Sequence, residues 1–129
     1  MHKTILVVED QEDNRRILRD LLTSRGFTII EVTDGLAGVE SARINRPDLI
    51  LMDIQLPGID GYEATRRIKA DAELAHIPII AVTSYALSGD DNKAFSAGCD
   101  GYVAKPFSPR HLLAKIEQYL SPKTPEPEP

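Results

Sequence analysis

The sequence has one cysteine, no excess of basic residues and no apolar stretch near the roughly 20 residues that a membrane span needs. Each shortage excludes something. A single Cys99 rules out an intrachain disulfide and points to a reducing compartment. Fifteen basic against twenty acidic residues leave a net charge of -5, which argues against nucleic acid as a direct partner, since such binding uses a basic patch. Met1-His2-Lys3-Thr4 leads straight into a strand-like run, so no signal peptide is expected. The reading is a soluble, cytoplasmic protein with no membrane association. His2, His76 and His111 are scattered and have no ligand spacing. There is no internal repeat, and 129 residues suit one domain that buries its core without staples.

What is there is a series of short apolar runs that stop on polar residues. Thr4 to Val8 is β-branched and apolar and ends on Glu9-Asp10. Ile17, Leu18, Leu21 and Leu22 then fall at helical spacing, predicting a helix of about 12–25, with Gly26 as its stop and Arg15, Arg16 and Arg19 on its solvated side. Phe27 to Val32 reads as a strand, Asp34-Gly35 as a turn or cap, and 36–45 as a weaker helix carrying Leu36, Val39 and Ala42. Leu49-Ile50-Leu51-Met52 is too short for a usual helix and reads as a strand buried on both faces, ending on Asp53. A loop dense in turn residues, Leu56 to Gly61, precedes a helix of about 61–70. Ile79 to Val82 is a fourth strand, ending on Thr83-Ser84, and a helix of roughly 86–97 follows despite the poor helix sequence Ser88-Gly89-Asp90-Asp91. Asp100 to Ala104 is a short fifth strand ending on Lys105-Pro106, and Ser108 caps a last helix with Leu112, Leu113, Ile116, Tyr119 and Leu120 on one face. One domain over 1–121 is expected, with a disordered, proline-rich tail at 122–129.

Five strands alternating with five helices predict a doubly wound α/β domain with a parallel sheet. Two strand orders are common for this pattern; the flavodoxin-like one, 2-1-3-4-5, sets strands 1 and 3 side by side at the switch point, and ligands bind beyond the carboxyl ends of the strands. Every unusual polar residue lies at such an end: Glu9 and Asp10, Asp53, Thr83 and Lys105. Three crowded carboxylates repel one another, and a hard cation removes the conflict. Mg²⁺ takes oxygen ligands, so Asp10 and Asp53 are the expected direct ligands with a backbone carbonyl nearby, and Glu9 acts through water. A carboxylate beside Mg²⁺ and an ammonium is also a plausible nucleophile toward phosphorus. In that chemistry Asp53 attacks, Lys105 neutralises the equatorial oxygens and Thr83 donates its hydroxyl to one of them.

Glu9-Asp10, Met52-Asp53 with Pro57 and Gly61, Thr83, and Lys105-Pro106 together resemble the receiver domain of two-component response regulators, over about residues 3–120. With no output domain in view, the chain is similar to stand-alone receivers of the chemotaxis-regulator and DivK-like kinds. The resemblance implies that Asp53 accepts phosphate from a phosphohistidine on a histidine kinase or phosphotransfer protein, and that phosphorylation and slow dephosphorylation are self-catalysed. It implies Mg²⁺ bound by Asp10, Asp53 and the Gln55 carbonyl, and a cis peptide between Lys105 and Pro106. Thr83 and Tyr102 would form a switch that alters the helix 4–strand 5–helix 5 face, where a downstream protein target docks. Gln55 and Tyr85, two residues after Asp53 and Thr83, would tune the phosphoryl lifetime. A monomer, or a weak phosphorylation-dependent dimer, is expected.

Taken singly these residues have bland readings: strand-end acids that are solvated, a surface lysine, a packed aromatic at Tyr102, a small buried Cys99. Their joint placement is what favours function. Two other readings stand beside the leading one. A receiver could serve purely as a relay intermediate. An aspartate-nucleophile phosphatase of the haloacid dehalogenase type also places an acid after a strand, but normally with a second acid two residues on, where this chain has Gln55.

Overall fold

Short β-branched and apolar runs become the strands, and in a computed structural model, which describes residues 3–83 and 90–120, all of them lie in one parallel sheet. The elements follow in the order β1 (Thr4–Val8), α1 (Glu12–Thr23), β2 (Thr28–Val32), α2 (Gly35–Asn45), β3 (Leu49–Asp53), α3 (Gly61–Ala70), β4 (Ile79–Thr83), α4 (Asp90–Ala97), β5 (Gly101–Ala104) and α5 (Pro109–Leu120). The strand order is β2-β1-β3-β4-β5, the flavodoxin-like one of the two orders common for such an alternation. Residues 84–89 and 121–129 lie outside the described residues, and with them the expected start of the fourth helix and the tail.

Alternation along the strands sends successive side chains to opposite faces. Ile5, Val7, Leu49 and Leu51 pack with Leu18 and Leu22 of α1 and Leu112, Leu113 and Ile116 of α5. Leu6, Val8, Ile50 and Met52 pack on the other face, with Val39 of α2, Ala64 and Ile68 of α3 and Ala94 of α4. β1 and β3 are therefore covered on both sides, which is why they read as unbroken apolar runs rather than alternating ones. The helix boundaries match the capping residues. Asp34 accepts from the Ala37 amide at 2.8 Å, Asp60 from the Glu63 amide at 2.9 Å, and Ser108 from the His111 amide at 3.0 Å.

Two sequence expectations are revised. Leu36 and Ile17, placed on the apolar stripes of their helices, are more than half exposed. On α2 it is Gly38 that faces the sheet, where a β-carbon would stand 3.0 Å from Val8 Cγ2.

The end of the sheet away from the polar strand termini is tied down tightly. Lys69 of α3 donates to the carbonyls of Ala75 and Ile77, at 3.0 and 2.8 Å, and to the Asp100 carboxylate at 2.9 Å. Asp100 in turn accepts from the Ile79 amide at 2.9 Å, and Tyr119 donates its hydroxyl to the Asp100 carbonyl at 2.6 Å. One ammonium and one carboxylate thus join the starts of β4 and β5 to α3, and the Tyr119 hydroxyl adds α5.

At the other end, Gly61 opens α3 directly against the end of β3. A β-carbon there would stand 2.3 Å from the Asp53 carbonyl oxygen and 2.7 Å from the Ile54 α-carbon, both backbone atoms. Gly61→Ala is therefore expected to destabilise the fold by about 1–3 kcal/mol, the usual range for overpacking. Urea unfolding followed by circular dichroism measures it.

Candidate functional site

Four strand termini converge on one patch. β1 ends at Val8, and the next amide, Glu9 N–H, donates to the Val32 carbonyl of the edge strand at 3.1 Å. That bond keeps Glu9 under the sheet edge, where it is buried, while Asp10 stays half-exposed. Asp53 is the last residue of β3 and only 3 % exposed, and Thr83 ends β4 fully buried. Beyond β5, the Lys105 amide donates to the Thr83 carbonyl at 2.8 Å, and the Lys105–Pro106 peptide is cis, as expected.

One carboxylate oxygen from each of Glu9, Asp10 and Asp53 lies within 4.8 Å of the others. At that separation each pair of unit charges repels by roughly 3–4 kcal/mol for an effective dielectric near 20. The ammonium of Lys105 lies 3.3 Å from Glu9 Oε1 and 3.5 Å from Asp53 Oδ2. The first is a hydrogen bond; the second is an ion pair at longer range. Glu9 Oε2 accepts from the Gln11 amide at 3.0 Å, and Asp53 Oδ1 from the Gln55 amide at 3.1 Å. Three acids thus face one ammonium. Burial first, and the Glu9 charge second, push the Asp53 carboxyl up from 3.8 to about 6, against the opposing pull of Lys105 and the Gln55 amide.

The donor set suits a hard divalent cation. It offers carboxylate oxygens only, all within reach of one centre, and its surplus negative charge is what such an ion would relieve. Glu9 has both oxygens engaged, Oε1 by a hydrogen bond from Lys105 and Oε2 by one from the Gln11 amide, whereas Lys105 reaches Asp53 only as a longer ion pair at 3.5 Å. Asp10 and Asp53 are the freer ligands.

The remaining expected residues are placed as follows. Gln55 is exposed at the mouth of the site. Tyr102, half-buried on β5, meets Phe95 of α4 edge-on, with centroids 6.1 Å apart and planes at 81°. Tyr85 lies outside the described residues. Thr65 and the buried Cys99 approach each other at 3.7 Å, and burial raises the thiol to about 11, so Cys99 is a packing residue far from thiolate chemistry.

Arg15 requires a correction. Helical periodicity puts it with Arg16 and Arg19 on a solvated face, but its side chain is only 14 % exposed. It folds back along the helix, donating to the Glu9 carbonyl at 2.9 Å and pairing with Glu12 and, at 3.5 Å, with Glu31 of β2. An arginine five residues after a strand-end acid pair is the only signal of this in the sequence, and on its own it is ambiguous. A groove of about 420 Å³ opens beside Lys105, lined also by Asn14, Ile17, Leu18, Pro106 and Phe107.

Comparison with known proteins identifies the arrangement. The model of the response regulator receiver domain matches residues 5–117. The chain is 45 % identical over 120 residues to the polar-differentiation response regulator DivK of Brucella anthropi, covering 93 % of this chain and 98 % of that protein. Among solved structures, the receiver domain of a Pseudomonas aeruginosa sensor histidine kinase superposes with a TM-score of 0.87 at 40 % identity, over 92 % of this chain and 98 % of that one. Its structure holds a magnesium ion coordinated in the active site cleft. A chemotaxis response regulator of Vibrio cholerae shares the fold, with a TM-score of 0.88 at 23 % identity over 93 % of this chain and 100 % of that one.

A carboxyl that holds its proton more tightly when folded than when unfolded destabilises the fold on ionising. Asp53 therefore favours folding most below pH about 4, and this contribution is lost as pH rises through about 6. Without divalent cations, Asp53→Asn should resist urea better than the parent at pH 7, by on the order of 1 kcal/mol after allowing for solvent screening. The gap should close as pH approaches 4, which paired urea titrations in chelator would reveal.

Proposed function

The chain belongs to the response regulator receiver domain family of two-component signalling, and on that premise we propose that Asp53 is its phosphoacceptor. The observation that carries this is the position of Asp53: buried at the end of β3, among two further acids, with the Lys105 ammonium 3.5 Å from its Oδ2. An Asp53 oxygen forms a bond to phosphorus as the N–P bond of a donor phosphohistidine breaks, and the departing imidazole takes up a proton. Asp10, Asp53 and the Gln55 carbonyl hold Mg²⁺, with Glu9 acting through water; the magnesium of the Pseudomonas relative supports this assignment. Mg²⁺, when bound, offsets the charge of the phosphoryl oxygens, which is most of what phosphoryl transfer asks of a protein. Lys105 contributes the second positive charge and Thr83 a hydroxyl donor. The same groups let the protein take phosphate from a small donor and lose it slowly to water, at a rate tuned by Gln55 and, on its sequence position two residues after Thr83, by Tyr85.

The donor, a histidine kinase or phosphotransfer protein, docks on the groove formed by Ile17, Leu18, Pro106 and Phe107. Ile17 is 54 % exposed there, an apolar anchor beside the residue that receives the phosphate. The output lies on the face of α4, β5 and α5. Thr83 and Tyr102 bias a two-state equilibrium, and Phe95, half-exposed and edge-on to Tyr102, carries the change to a cytoplasmic protein target. No helix among the described residues is long and apolar enough to cross a membrane.

Incubation with acetyl phosphate and Mg²⁺, followed by intact mass, should show one phosphoryl adduct that Asp53→Asn abolishes while its circular dichroism stays native. A phosphorylated Asp53→Asn protein would refute the assignment. Lys105→Ala should keep Mg²⁺ binding but lose the shifts at Tyr102 that beryllofluoride induces in the parent. Ile17→Glu should slow transfer from a phosphohistidine protein by roughly tenfold, the scale of one lost interface anchor, and leave uptake from acetyl phosphate unchanged.

A further inference from the structure

We propose that Arg15 is a positioning residue for the cation site, holding Asp10 in place through the backbone rather than by touching the ion. The proposal rests on the Mg²⁺ reading above and adds a residue that lies outside the acidic cluster. The bond from Arg15 Nη1 to the Glu9 carbonyl is 2.9 Å long. That carbonyl belongs to the peptide group joining Glu9 to Asp10. Because a peptide group is planar, fixing its oxygen fixes the Asp10 amide and α-carbon as well. The opposite side of Glu9 is held by its own amide on Val32, at 3.1 Å, and the turn is closed by the Gln11 amide on Glu9 Oε2, at 3.0 Å. Without Arg15, the one link in this set that restrains the Glu9–Asp10 peptide plane is gone, and the half-exposed Asp10 can turn toward water, away from Glu9 and Asp53.

The guanidinium is itself held rigidly. It is mostly buried, pairs with Glu12 on its own helix, and lies 3.5 Å from Glu31 on β2. Glu31 is gripped by Arg19 through Nε and Nη2, at 2.5 and 2.9 Å. A lysine cannot reproduce this. A guanidinium has five donors in a fixed fork, so it can hold Glu9, Glu12 and Glu31 together, whereas an ammonium is one point charge on a flexible stem. Arg19 supplies an internal control: it shares Glu31 and the same helix, but no hydrogen bond links it to the acidic loop.

Mg²⁺ titrations of isotope-labelled protein, following the amide resonances of Asp10 and Gln55, test this without any phosphorylation. Arg15→Ala should weaken Mg²⁺ about tenfold, the lower end of what losing an outer-sphere partner of a metal site costs. Arg15→Lys should fall between it and the parent. Arg19→Ala should lose stability in urea yet keep the parent's Kd. Parental affinity in Arg15→Ala, or equal losses in Arg15→Ala and Arg19→Ala, would overturn the proposal. Should Arg15→Ala not fold, Arg15→Lys decides: weaker Mg²⁺ binding than Arg19→Ala supports it, and equal or tighter binding overturns it. A parent protein whose resonances do not respond to Mg²⁺ would instead overturn the cation reading itself.

Discussion

The structure depends on an unfavourable interaction. Glu9, Asp10 and Asp53 bring carboxylate oxygens within 4.8 Å of one another where two of the three are buried, and among the described residues only Lys105 sits with them to offset the charge. Such a cluster is costly to fold around. It persists because the sheet on either side is continuous apolar core that over-determines where β1 and β3 end. The charge imbalance at that edge is what a bound divalent cation would relieve.

Topology converts four separate strand endings into one site. Placing β1 next to β3 sets Glu9 and Asp10 beside Asp53, although more than forty residues separate them in the chain. Lys105 arrives from β5, two strands away from β3. Its amide is fastened to the Thr83 carbonyl, and its side chain spans the distance to both Glu9 and Asp53. Gly61 lets α3 close against the end of β3 with no side chain in between.

Most of this was legible in the residues. Asp53, Asp10 and Lys105 stand out because an apolar run that stops on a charge is rare without a reason, and the alternation of elements pointed to the doubly wound parallel class, for which the flavodoxin-like order is one of two common ones. The receiver family, recognised on the same residues, is the one the comparisons identify. What could not be read was direction. Periodicity assigns a residue to a helix face by its α-carbon, but Arg15 has a side chain long enough to leave that face and reach a backbone carbonyl six positions back. The same limit applies to Ile17 and Leu36, which sit on apolar stripes by spacing but are more than half exposed. The engagement of both Glu9 oxygens was equally hidden, since it depends on how the Gln11 amide turns.

The Lys69–Asp100 cluster has a mechanical consequence. It pins the starts of β4 and β5 to α3 and α5, and the Asp48 carboxylate does the same for β1 by accepting from the Thr4 amide at 2.8 Å. The sheet is then a cantilever: anchored at its amino-terminal margin, loaded at its carboxyl-terminal one. A covalent load at the free end would act on the loops and strand tips there, at the margin opposite the anchored root.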